Sequence, residues 1–157
     1  MRKRVLLLLG AAVTALSLTG EAAPAAAKPA PAPGAPIVRV TEEAAPPNAG
    51  PNASCPIVAH GYSGAYMCGT RVILVDWYGD GRRLETFVVS PVRTIWHAWP
   101  GSGGWHEMPG RKTGDNMGDA WWSGTATRNI SVWANHPTGY WCISDPGSGW
   151  TGVWRDC

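Results

Sequence analysis

Aromatic and turn residues recur along this chain at a spacing of about 45 positions, a period that narrows the choice of fold more than any other feature. Trp77 falls on Trp122 and Gly79 on Gly124 at an offset of 45. The segment Leu84–Val88 falls on Ile130–Ala134 at an offset of 46, after which Pro91 meets Pro137. Ile95-Trp96 meets Tyr140-Trp141 at 45, Pro100-Gly101-Ser102 meets Pro146-Gly147-Ser148 at 46, and Trp105 meets Trp150 at 45. Slips of one residue are what surface turns absorb. Short strand-like runs alternate with Asp80-Gly81, Pro100-Gly101 and Pro146-Gly147, residue pairs that favour tight turns. The first unit then reads as strands at 72–77, 84–89, 94–99 and 104–108, the second as strands at 120–122, 130–134, 140–144 and 149–154. No segment carries helical periodicity. The expected fold is all-β: two tandem four-stranded antiparallel meanders at about 70–110 and 115–157, each the size of a propeller blade.

The chain ahead of the repeats is different in kind. Arg2-Lys3-Arg4 precede an apolar run over 5–19, and small residues including Ala25-Ala26-Ala27 follow. This is the pattern of a secretory signal peptide over 1–27, with an apolar run too short to span a bilayer comfortably. Residues 28–54 are rich in Ala and Pro, which fixes φ and removes amide donors, so a semi-rigid linker is expected. Within it only Ile37–Val40 is mostly apolar. The expected localisation is secreted and extracellular, with no membrane association once the signal is cleaved.

Residues 55–157 hold all four Cys, all four His and all ten Trp. They carry eight Lys/Arg against eight Asp/Glu, so the net charge of +2 arises further upstream. A neutral domain gives no electrostatic case for nucleic acid or anionic lipid as a partner. Four Cys in a secreted chain predict two disulfides. A hairpin centred near Gly61/Tyr62 would set Cys55 opposite Cys68 and leave Cys142 for Cys157; the competing arrangement clasps Cys55 to Cys157. No C-x-x-C or H-x-x-x-H spacing supports a metal site. Asp76–Gly81 has the outline of a Ca²⁺ loop, but Tyr78 and Phe87 stand where oxygen ligands belong. No metal or cofactor is expected.

Gly81–Val89 (GRRLETFVV), Ile95–Trp99 (IWHAW) and Gly103-Gly104-Trp105 resemble the repeat of PLL-like bacterial lectins, over residues 70–157. The first unit carries the pattern more fully than the second, where Cys142 replaces the His and Ser144 the second Trp. The resemblance implies propeller blades that bind fucose and related sugars between them. Family propellers have many blades and this chain has two units. Open sheet edges must therefore be capped by the disulfide hairpin, or chains must associate as a homo-oligomer to complete a ring.

Alternation in the 94–99 strand puts Trp96 and Ala98 on one face and Ile95, His97 and Trp99 on the other. The first face recurs as Trp141 and Ile143, which marks packing. The second differs between the copies, which marks a site. Phe87/Trp133 and Trp105/Trp150 are expected in the core. The candidate ligand-binding residues are His97, Trp99 and His106, with Trp77 and Trp122 as a repeated platform and Trp121 as an unmatched aromatic. An indole face stacks on the CH face of a sugar while imidazole nitrogens reach its hydroxyls. Asp119, Asn135 and His136 are further polar candidates.

These residues lead to a non-enzymatic, lectin-like carbohydrate-binding module whose partner is a carbohydrate or glycoconjugate. One alternative is a secreted inhibitor of an extracellular hydrolase, since exposed Trp and Arg are favoured interface anchors. The other is a glycoside hydrolase with Glu85 as its acid. Neither G-x-S-x-G nor H-E-x-x-H occurs.

Overall fold

The computed structural model describes residues 39–43 and 53–157, and the expected signal peptide lies outside them. All regular structure in these residues is β, and every sheet is antiparallel. A two-stranded hairpin comprises β2 (Ser54–Ala59) and β3 (Tyr62–Met67). The first meander runs β4 (Val72–Asp76), β5 (Leu84–Val89), β6 (Ile95–Ala98) and β7 (His106–Glu107). The second runs β8 (Asn116–Ser123), β9 (Thr127–Asn135), β10 (Thr138–Asp145) and β11 (Arg155–Asp156). Ahead of them, β1 (Arg39–Glu43) pairs with β4 from Arg39↔Asp76 to Glu43↔Val72 and makes the first sheet five-stranded. This strand falls inside the stretch expected to be linker.

Two four-stranded meanders and a disulfide hairpin are thus present, with no closed ring of blades among the described residues. The two sheets bury one face of each against the other. Ile73, Val75, Trp77 and Phe87 of the first share one cluster with Met117, Trp122, Ile130 and Val132 of the second. The indole of Trp122 donates to the Trp77 carbonyl at 2.8 Å, and the two rings meet edge to face at 5.9 Å. Trp77 and Trp122 are therefore matched in space as in sequence.

The other matched aromatics are not. Trp96 packs under the β2–β3 hairpin, in a second cluster with Ile57, Tyr66 and Val88, whereas Trp141 packs against the core between the sheets. Trp105 likewise lies under the hairpin and Trp150 between the sheets. Phe87 is fully buried in the core, but Trp133 is half-buried outside it, against Tyr140 at 5.0 Å. A slip of one residue exchanges the two faces of a strand. By face, Phe87 corresponds to Val132 and His97 to Ile143. The last strand also starts late: β11 is Arg155–Asp156, not 149–154, so loop 146–154 carries Trp150 inward.

The hairpin turns at His60-Gly61, both with positive φ (54° and 85°), as a two-residue loop matched to strand twist requires. Cys55 therefore faces Tyr66, and Cys68 lies one residue past β3, where its amide bonds the Ala53 carbonyl at 2.8 Å. The disulfide Cys55–Cys68 closes the open end of the hairpin, with a Cα–Cα distance of 5.1 Å. Cys142–Cys157 ties β10 to the C-terminus. The hairpin docks where Gly64 leaves room for the Trp105 ring, whose indole N–H bonds the Tyr62 carbonyl at 3.2 Å.

Candidate functional site

Near the start of β5, ahead of the core-facing Phe87 and Val89, the inward position holds Glu85 instead of a hydrophobe. It is 4% exposed. A carboxylate in that setting survives only with its oxygens satisfied. Oε1 accepts from His97 Nδ1 at 2.6 Å and from Trp150 Nε1 at 3.3 Å. Oε2 accepts from Trp77 Nε1 at 2.8 Å and from Arg128 Nη1 at 3.0 Å. An ionised carboxylate can only accept, so His97 carries its proton on Nδ1 toward Glu85.

The second sheet completes the cluster. Arg128 on β9 bridges Glu85 to Asp145 on β10, with its guanidinium 5.2 Å from the Trp77 ring and 5.4 Å from the Trp150 ring. Asp145 also accepts the amides of Gly147 and Gly149, at 2.7 and 2.9 Å. Burial works against its charge, but these amides and Arg128 outweigh burial and hold the carboxyl below its ordinary range.

Above this floor lies an open cleft of about 510 Å³, on the seam between the two sheets. Its walls include Trp99 and Pro100 from loop 99–105, Arg82 and Arg83 from loop 77–83, and Trp150 from loop 146–154. Trp99 is 37% exposed. It lies 5.0 Å from the His97 ring and stacks at 5.2 Å on His106. His97 also stacks on Phe87 at 5.8 Å.

His97 and Trp99 thus line one cleft, the imidazole buried and the indole open. His106 is exposed behind Trp99, and its Nε2 bonds the Ser102 carbonyl at 2.9 Å. Trp77 is fully buried and Trp122 nearly so. Both fill the intersheet core, so neither has the open ring face that a stacking platform needs. Trp121 points away from the core on β8, on the opposite face from Trp122. Asn135 and His136 sit at the β9–β10 turn, the end of β9 remote from Arg128. Asp119 is exposed on β8, away from the cleft lining.

Arg82, Arg83, Arg128, Asp145 and Trp150 were missed as site residues. Arg128 carried a faint signal, since it is Arg83 displaced by 45 positions. Asp145 carried none, because Asp before Pro-Gly reads as a turn former. The Ca²⁺-like outline at Asp76 is such a turn: its carboxylate accepts the amides of Gly79 and Gly81. Among the described residues, no group of three or more His, Cys, Asp or Glu could hold a metal ion. Nor is any helix among them long and apolar enough to cross a membrane.

The chain matches no protein-family model, no curated protein and no solved structure.

Proposed function

We propose that this is a secreted carbohydrate-binding module whose ligand occupies the cleft on the seam between the sheets. The carrying observation is a partly exposed indole in the cleft wall, Trp99, beside a His97 ring held by Glu85. Apolar CH faces of a sugar stack on the indole, and hydroxyls bond to the imidazole and guanidinium groups around it. A locked ring loses little freedom on binding, which favours affinity. Binding rather than catalysis fits the floor, where the oxygens of Glu85 and Asp145 are already engaged. The similarity of Gly81–Val89 and Ile95–Trp99 to the lectin repeat supports the same reading. Secretion is supported by the N-terminal pattern and by two disulfides, which persist in oxidising compartments.

A glycan array, followed by calorimetry with the free sugar, tests the reading. Binding is expected to fall roughly tenfold or more in Trp99→Ala, as for a central aromatic anchor. An empty array, together with tight inhibition of a secreted amylase or protease, would replace it with the inhibitor reading.

A further inference from the structure

The hydrogen-bond inventory of the cleft is lopsided. Its two carboxylates are largely engaged: Glu85 accepts four N–H groups, and Asp145 accepts two amides and Arg128. Of the side chains in the lining, the acceptors left are His97 Nε2, while the ring is neutral, and one remaining site on the buried Asp145 Oδ2. The donors are many. Arg128 bonds through one nitrogen to each carboxylate, although a guanidinium carries five N–H groups. On the rim, Arg82 pairs with Asp80 and its side chain is 81% exposed. Arg83 is exposed with only the Tyr78 ring near its guanidinium, at 5.5 Å, and no carboxylate is paired with it among the described contacts.

From this imbalance we infer that the ligand is an acidic saccharide, with its anionic group directed to Arg83 and its ring on Trp99. The inference rests on the carbohydrate-binding reading and narrows it. A neutral sugar hydroxyl both donates and accepts, so a donor-rich cleft leaves its protons without partners. A carboxylate or sulfate only accepts, and a guanidinium fork can hold two of its oxygens at once. The backbone carbonyl of Arg83 holds the Trp77 amide at 3.0 Å, which fixes where the side chain leaves the loop. Asp80 restrains the neighbouring Arg82, so Arg83 is the principal anion contact and Arg82 a latent one.

Calorimetry with matched pairs tests this: oligogalacturonate against its methyl ester, and a sulfated oligosaccharide against its desulfated form. The acidic member is expected to bind roughly tenfold tighter, the scale of one charge-assisted bond, and to lose that advantage as salt rises. Preference in the first pair names a carboxylate, and preference in the second a sulfate. Arg83→Gln should erase the preference, with the acidic member losing far more affinity than the neutral one. Asp80→Asn should enlarge it, because the amide oxygen can still cap the turn while Arg82 is released. Equal binding of both members, unchanged in Arg83→Gln, overturns the acidic inference and leaves the lectin reading standing. If no member of either pair binds, the acidic inference falls, and if the glycan array is empty as well the lectin reading falls with it.

Discussion

Glu85 is the residue on which core and cleft both depend. It sits among apolar neighbours, yet four N–H groups from both sheets converge on it. Removing its charge strands Arg128 and leaves His97 without a fixed orientation. Glu85→Ala is expected to cost about 3–5 kcal/mol, the range for breaking one side of a buried pair. Denaturant unfolding measures it, and a variant within about 0.5 kcal/mol of wild type would mean that the cluster holds nothing together. Asp145 contributes to the acid limit. Its folded carboxyl titrates below the ordinary range, so its contribution is fully present above about pH 4 and is lost as pH falls through the folded value. Asp145→Asn should flatten the acid limb of a stability–pH profile. His60 acts in the same direction. Burial lowers its folded value, against the pull of Glu85, so the unfolded chain gains protons first as pH drops below about 6.5. Little of this was legible in advance: Glu85 reads as an ordinary strand carboxylate until Arg128 arrives from 43 positions away.

At the scale of elements, the hairpin and its disulfide were legible because their information is local. Turn residues separate two short runs, and cysteines stand at both ends. What the hairpin covers was not legible. Trp96 and Trp105 looked like core residues shared with Trp141 and Trp150, yet the two members of each pair pack on different clusters. Tryptophan spacing constrains a strand's place but not its face, and one residue of slip changes the face. The hairpin is expected to be a removable lid over Trp96 and Trp105. Opening Cys55–Cys68 with paired Ser substitutions frees a loop with a sequence separation of 13 and should cost about 3 kcal/mol. Gly64→Ala places a Cβ 2.5 Å from the Trp105 indole nitrogen, so the ring must move and its bond to Tyr62 must weaken. Both variants should shift tryptophan emission toward that of exposed rings. Unchanged emission would mean that the hairpin stays docked.

For the whole molecule, one core between two sheets means one cooperative unit. Thermal unfolding followed by near- and far-ultraviolet dichroism should give coincident transitions, and neither meander should fold when expressed alone. The strand β1 closes the β4 edge, which its proline-rich surroundings concealed from sequence reading. A chain beginning at residue 53 would expose that edge and should associate with rising concentration, as scattering would detect. The seam also counts for something else. Its parts are shared unequally: the first meander brings Glu85, His97 and Trp99, where the second, by face, has Ile130, Ile143 and Asp145. Two copies of a repeat therefore make one seat and not two. If that seat holds a glycan as proposed, a lone chain would occupy it without cross-linking, and the internal repetition would add no avidity at the seam.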